Sequence, residues 1–477
     1  MNLYLDILKQ YWGFTAFRPL QAAIIRSVCD GKDTLGLMPT GGGKSITFQV
    51  PAMTMEGVCL VVTPLIALMR DQVERLRQIG IPATAVHSEM SREEIARELN
   101  QCISRKYKFL YLSPERLENT LFLEKLQAMS VCLLVVDESH CISQWGYDFR
   151  PAYLRIADLR RRIPDVPVLA LTATATPDVA DDIQNRLLFR KKNVLQTSFF
   201  RPNLAYIVYQ TENKRGALIR WLNRIPGTAI IYTRNREQTQ ETALFLQHHH
   251  IAAESFHAGL TREEKTARQA RWKRGVCRVM VATNAFGMGI DKADVRLVVH
   301  LDMPHSLEEY FQEAGRAGRD GEKASAVALC APNECLQLQK QFQQAHETLG
   351  KDASAAEKAH DKRVQQRIQK VIEYISCRHI CRSRFLLDYF GEKGTSTCGC
   401  CDICRAKQPS GLSHQTFNQI RTQLEKELTA SSPTTIRELT LRLPYPTEIS
   451  ITVIRFLLDN DKRFRLQDGK LQLKNLF

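Results

Sequence analysis

No run of about 18 or more apolar residues occurs anywhere in the 477-residue sequence, which argues against a membrane-spanning helix. The start, MNLYLDILKQYW, lacks a basic region followed by an apolar core and a small-residue cleavage site, so no secretory leader is expected. Internal repeats and long low-complexity segments are also missing. A soluble, intracellular protein is the expectation. Acidic residues are the scarcer charge: 51 Asp and Glu against 66 Lys and Arg leave a net charge of +15, and a polyanionic partner is the first suspicion. With 44% apolar residues the chain can bury large cores, and its length suggests roughly three domains of ~150 residues.

The stretch with most chemistry is TLGLMPTGGGKS, residues 34 to 45, a short apolar strand followed by a glycine-rich turn. Gly41, Gly42 and Gly43, with Thr40 before them, let consecutive amides point at phosphate oxygens without obstructing side chains. Lys44 can then neutralise β and γ phosphates, and Ser45 can offer an oxygen to Mg²⁺. The pattern departs from GxxxxGK[ST], because Met38 stands where the first glycine belongs. Read alone, a glycine-rich surface turn is about as good an account. A partner stretch decides the matter. CLLVVDESH places Asp137 and Glu138 at the end of an apolar strand, where carboxylates are costly without a cation or proton. Asp137 is the expected Mg²⁺ partner and Glu138 the base that orients an attacking water.

Ahead of the loop, GFTAFRPLQ carries Phe14, Arg18 and Gln21. A glutamine amide can read the edge of adenine, and an aromatic ring or guanidinium can stack on its face. From 58 to 176, VCLVVTP, KFLYLSP, CLLVVDE and VLALTAT alternate with helical stretches, the signature of a parallel sheet covered on both faces. Thr63, Pro64, Ser113, Pro114 and Thr172 to Thr176 fall at strand ends, where a phosphodiester backbone can be gripped. CISQWGYDFRPAY then interleaves Trp145, Tyr147 and Phe149 with Arg150. Such a loop can stack on unpaired bases, although burying Trp145 as a core cap is the ordinary alternative. His140, immediately before it, can report the nucleotide state to the loop.

KKNVLQTSFFRPNL reads as an irregular basic linker. A second α/β pattern follows, with strands GTAIIYT, AAESFHA, CRVMVAT, VRLVVHLD and ASAVALCA and no phosphate loop of its own. It ends in HSLEEYFQEAGRAGRDGEKA, where Arg316 and Arg319 share a face if the segment is helical. An arginine supplied by a second domain can stabilise charge on a γ phosphate.

Eight of the 14 cysteines are scattered through apolar segments and are expected to be reduced; the other six lie between 377 and 404. Cys398, Cys401 and Cys404 form two successive C-x-x-C units, and with Cys381 upstream they can close a tetrahedron around Zn²⁺. On spacing, Cys377 can replace Cys381 and Cys400 can replace Cys401. After QPSG the tail shows three helix-like stretches and two short alternating runs joined by Asp468 and Gly469. Arg463, Arg465, Lys470 and Lys474 can meet duplex phosphates, or simply form a solvated basic face.

The ordered set FRPLQ, MPTGGGKS, TPLIALMRDQ, DESH, CISQWGYDFRP, LTATAT, FHAGL, VATNAFGMGIDKADVR and QEAGRAGRDG, spanning residues 13 to 321, resembles the RecQ family of superfamily 2 DNA helicases. The resemblance implies an α/β fold of two tandem RecA-like parallel-sheet domains, 1–204 and 205–345, then a zinc-binding helical module, 346–410, and a winged-helix-like domain, 411–477. It implies ATP-dependent 3′ to 5′ unwinding of DNA, with single strands and single/double-strand junctions as partners, in repair or recombination. The protein is then expected in the cytoplasm or wherever chromosomal DNA lies. ATP, Mg²⁺ and Zn²⁺ are the implied cofactors. Arg18 and Gln21 are expected at adenine, Arg319 as arginine finger with Arg316 beside it, and Cys381, Cys398, Cys401 and Cys404 on zinc. Ser139 stands where the family usually has alanine, and Phe14 where tyrosine is common. An RNA helicase, a non-separating nucleic-acid-stimulated ATPase and a DNA-binding adaptor with a vestigial ATP site are the rival readings.

Overall fold

The computed structural model describes all residues except Met1, Thr40, Gln144, Trp145, Tyr147, 287–291, 341–354, 407–411, Ser413, 431–433, Lys462, Asp468 and 474–477. The first lobe is built on seven strands: β1 (Thr34–Leu37), β2 (Val58–Val62), β3 (Ala83–Val86), β4 (Phe109–Leu112), β5 (Val131–Val136), β6 (Val168–Thr172) and β7 (Val194–Gln196). They lie in the order β3-β4-β2-β5-β6-β1-β7, every pair parallel. The second lobe follows with β8 (Leu204–Gln210), β9 (Thr228–Tyr232), β10 (Ala253–Phe256), β11 (Val279–Ala282), β12 (Val295–His300) and β13 (Ala324–Cys330), in the order β10-β11-β9-β12-β13-β8, also parallel. Central strands such as VCLVV and VLALT are buried at every position because helices cover both faces, which explains why they read as unbroken apolar runs.

Three strands escape the sequence reading. β7 falls inside KKNVLQTSFFRPNL, so that stretch is an edge strand hydrogen-bonded to β1 before it becomes a connection. Its residues are exposed or half-buried, and an edge strand with little burial carries little apolar signal. β3 and β8 were also not anticipated, although both are largely buried.

A helix over Ala355–Ser376 leads to shorter ones at Arg382–Tyr389 and Asp402–Ala406. This module packs on the second lobe through aromatic rings: Phe390 lies 4.9 Å from Phe311 and 5.6 Å from Phe199, and Tyr374 5.3 Å from Tyr310. The last unit places helices at His414–Ala430, Ile436–Arg442 and Thr447–Asn460 against strands β14 (Thr434–Thr435), β15 (Phe464–Gln467) and β16 (Lys470–Leu473). Their sheet order, β14-β16-β15, is antiparallel and adds one strand to the expected three helices and hairpin. Arg463 is not presented outward as the sequence suggests; it pairs with Asp461 at 2.8 Å and Glu425 at 2.9 Å. Lys474 lies outside the described residues.

Asp33, just before β1, is fully buried and ties three distant segments together. It accepts from the Val168 amide at 3.0 Å, the Arg190 amide at 2.8 Å and the Arg190 side chain at 3.1 Å, with Arg160 at 3.4 Å. Burial pushes its carboxyl up, but hydrogen bonds from Arg190 and Val168 and the charge of Arg160 outweigh it and hold the pKa below the ordinary value. A depressed carboxyl stabilises the fold above its unfolded pKa of ~4 and loses that contribution as pH falls through the lower folded value. Asp33→Ala is therefore expected to cost about 3 kcal/mol at pH 7 in urea unfolding, and less when measured near pH 3. An unchanged midpoint at pH 7 would contradict this account.

Candidate active site between the two lobes

In a parallel sheet all strands end on one edge, and the loops leaving that edge meet over it. β1 therefore delivers the glycine turn, β5 delivers Asp137 and Glu138, and β6 ends in Thr172. Gly41 and Gly43 have φ of +81° and +76°, conformations that a side chain would strain. At Gly42 an added Cβ would lie 2.9 Å from the Pro39 carbonyl oxygen. The turn is thus shaped as a cradle that only glycine fits. Ser45 immediately precedes the helix Ile46–Ala52, and Thr40 lies outside the described residues.

Lys44 Nζ stands 3.5 Å from Glu138 Oε1, and both side chains are largely buried. Glu138 has φ +45°, unusual for a residue with a side chain, and its amide donates to Asp137 Oδ1 at 3.0 Å. Burial, together with the neighbouring Glu138, pushes the Asp137 carboxyl up to about 6 even though Lys44 pulls it down. Burial also opposes ionisation of Glu138, but Lys44, His140 and Arg316 win and lower its pKa. One carboxylate is thus kept charged beside another that needs a cation, a donor set that fits Mg²⁺. Glu138 Oε2 is buried with no hydrogen-bond partner among the described residues, an acceptor left with spare capacity in the cleft.

A cavity of ≈ 610 Å³ opens here, lined by Gly41, Lys44, Ser45, Asp137 and Glu138 from the first lobe and by Gln312, Arg316 and Arg319 from the second. The helix carrying the arginines stops sooner than the sequence suggests, at Ala314, so Arg316 and Arg319 sit in the turn beyond it and not on a helical face. That turn lays Arg319 on the glycine cradle: a Cβ at Gly41 would lie 3.4 Å from its Cγ. Gln312, half a turn earlier, lines the same cavity and was given no role by the sequence reading, although it lies inside QEAGRAGRDG. Tyr11 and Trp12 were likewise missed; they form the cavity wall next to Phe14, which is 57% exposed at the rim. A larger cavity of ≈ 850 Å³, lined by Arg70, His87 and Glu98, contains none of these charged groups.

Arg18 and Gln21 are not in that wall. Arg18 Nη1 donates to the Gly41 carbonyl at 2.6 Å, and Gln21 Nε2 to the carbonyls of Gly42 and Gly43 at 3.2 and 3.1 Å. They hold the phosphate loop from behind, and their amide and guanidinium donors are committed to backbone. His140 is buried, with Nδ1 2.8 Å from Thr172 Oγ1 and 3.5 Å from Glu138 Oε2. Burial lowers its pKa despite the nearby carboxylates, and the ring links the segment after β5 to the end of β6. Arg150 does not project freely: it donates to Asp148 Oδ2 at 3.1 Å and to the Pro64 carbonyl at 3.3 Å. Phe149 is half-buried, and Trp145 and Tyr147 lie outside the described residues.

Sulfurs of Cys381, Cys398, Cys401 and Cys404 lie within 4.8 Å of one another. Amides of Cys398 and Cys404 donate to the sulfurs of Cys381 and Cys401 at 3.2 and 3.3 Å, which favours thiolates. Cys377 and Cys400 are not among these four, although Cys377 packs on the cluster and Cys400 lies beside Cys398; Cys377 Sγ faces the Ile380 amide at 3.4 Å and Cys400 Sγ the Leu204 carbonyl at 3.8 Å. Four thiolates with no open position fit a structural Zn²⁺.

Three family descriptions match in succession: DEAD/DEAH box helicase over residues 18–183, helicase conserved C-terminal domain over 213–321 and RecQ zinc-binding over 327–405. The chain is 40% identical over 404 residues to the ATP-dependent DNA helicase RecQ of Bacillus subtilis, covering 84% of this chain. It is 40% identical over 340 residues to the probable ATP-dependent DNA helicase RecS of the same organism, covering 70% of this chain and 68% of that protein. The chain belongs to the RecQ family of superfamily 2 helicases. It spans 66% of the length of the Bacillus subtilis RecQ protein, just under two thirds. The DNA-bound DUF1998 helicase MrfA superposes with a TM-score of 0.60 at 14% identity, over 99% of this chain and 62% of that one, a likeness of fold. No described helix of this RecQ-family chain is long and apolar enough to cross a membrane.

Zinc content measured by atomic emission is expected to collapse in Cys401→Ser and to persist in Cys400→Ser. Equal loss in both variants would break the four-sulfur assignment.

Proposed function

We propose that the chain is an ATP-dependent DNA helicase that moves 3′ to 5′ on single-stranded DNA and separates duplexes at single/double-strand junctions, in repair or recombination. We take its working units to be residues 1–204, 205–345, 346–410 and 411–477. The observation that carries this reading is the single cavity in which Lys44, Asp137 and Glu138 face Arg316 and Arg319. A triphosphate held there bridges the lobes, and its loss releases them, so a strand gripped by both lobes is advanced.

Lys44 and the glycine-turn amides bind the β and γ phosphates, and Glu138 accepts the proton of the attacking water. Arg319, with Arg316, neutralises charge that develops on the γ phosphate. Ser45 and Asp137 hold Mg²⁺, which supplies charge neutralisation on the phosphates. Gln21 and Arg18 exchange their bonds to loop carbonyls for contacts with adenine, beside Phe14. His140 and Thr172 carry the nucleotide state to the loop that bears Trp145, Phe149 and Arg150. Cys381, Cys398, Cys401 and Cys404 hold Zn²⁺ as a structural clamp.

Lys44→Ala is expected to lower DNA-stimulated ATP turnover at least about a hundredfold with an unchanged circular dichroism spectrum; near-normal turnover would rule the site out. Comparing turnover on single-stranded DNA with single-stranded RNA tests the substrate, and absence of strand separation on forked DNA would sink the helicase reading. In Trp145→Ala, basal turnover should persist while DNA no longer accelerates it, and intact stimulation there would favour a core-capping tryptophan.

A further inference from the structure

The loop between Cys141 and Arg150 is tied down within its own lobe by several bonds. Ser143 Oγ donates to Asp182 Oδ2 at 2.6 Å, the Gly146 amide to the Ser143 carbonyl at 2.9 Å, the Arg150 amide to the Cys141 carbonyl at 2.9 Å, and Arg150 Nη1 to the Pro64 carbonyl at 3.3 Å. Gly146 presses so closely on the segment carrying His140 that an added Cβ would lie 2.5 Å from the His140 carbonyl oxygen. A displacement of Gly146 is therefore felt by the backbone that positions His140, and through it by Glu138 and Thr172.

From outside that lobe, Arg367 on the Ala355–Ser376 helix donates its Nη2 to the Gly146 carbonyl at 2.8 Å. That helix belongs to the cysteine-bearing module, whose other fastenings are mainly to the second lobe and the connection between lobes, with Gly391 set against Pro177 of the first lobe. Tyr389 Oη donates to the buried Glu308 at 2.9 Å, Tyr374 meets Tyr310 at 3.4 Å between hydroxyls, and Glu392 accepts from Ser198 Oγ and the Phe199 amide at 2.7 and 2.6 Å. The module is thus fastened by hydrogen bonds chiefly to the second lobe and the connection, while the Arg367 guanidinium reaches the loop of the first. Arg367 also lines a cavity of ≈ 580 Å³ with Asp148, Arg150, Gln312 and Arg316, and the last two belong to the nucleotide cavity as well.

We propose that Arg367 is a positioning residue that couples movement of the second lobe to the aromatic loop through the Gly146 carbonyl. Arg367 lies outside the lining of the nucleotide cavity and outside the four-sulfur group. The inference rests on the helicase reading above.

ATP turnover of the full chain, measured against a single-stranded oligonucleotide, tests it. Arg367→Ala should keep basal turnover and bound zinc while the stimulation factor falls about five- to tenfold. Arg367→Lys, which retains a charged donor, should keep most of the stimulation. Wild-type stimulation in Arg367→Ala, or a loss in Arg367→Lys as deep as that in Arg367→Ala, overturns this inference alone. A wild type that DNA does not stimulate overturns the helicase reading and this inference with it.

Discussion

The structure depends on how charge is held in the cleft between the lobes. Lys44 and Glu138 face each other 3.5 Å apart, Asp137 is buried beside them, and Arg316 and Arg319 approach from the other lobe. In a medium of low dielectric such a set is costly unless each charge finds a partner. The carboxylates lie beside Lys44 and Arg316, and a cleft lined by one lysine and two arginines suits a polyphosphate. On the proposed function, closing the cleft is favourable when a triphosphate is present and less so without one. That dependence is what a nucleotide-driven motor requires.

Sheet polarity brings these groups together. Because every strand pair in both large sheets is parallel, the loops that follow β1, β5 and β6 gather on one edge, and the second lobe offers the turn after Ala314 to the same cleft. The cysteine-bearing module then braces the second lobe with Phe390 and Tyr374 and reaches back to the first lobe with Arg367 and with Gly391, packed on Pro177. The cleft is thus bordered by three parts of the chain, and a shift in one is transmitted as packing and hydrogen-bond strain to the others.

Much of this was legible in the primary structure. Buried parallel strands announce themselves as apolar runs, and glycine, lysine and paired carboxylates at strand ends have few other uses. What escaped notice was either weakly patterned or nonlocal. β7 is an exposed edge strand whose polar residues look like linker. Gln312 has no chemistry that singles it out until the cavity is seen. Arg18 and Gln21 carry the right donors for adenine, yet the backbone carbonyls of Gly41, Gly42 and Gly43 were nearer partners. Arg150 looked available to DNA within the aromatic loop and Arg463 to duplex phosphates, and each is held by a neighbouring carboxylate.

Composition and local pattern by themselves determined the two α/β halves, the glycine cradle, the carboxylate pair and a cysteine cluster with two spare members, because these depend on short-range spacing and on residue types with narrow chemistry. Tertiary structure brings together the four sulfurs that the resemblance implied, and it alone decided that Arg319 lies against Gly41 and that Arg367 touches the loop of another lobe. Those facts require distances between residues far apart in the chain, and such distances are set by how sheets and helices pack.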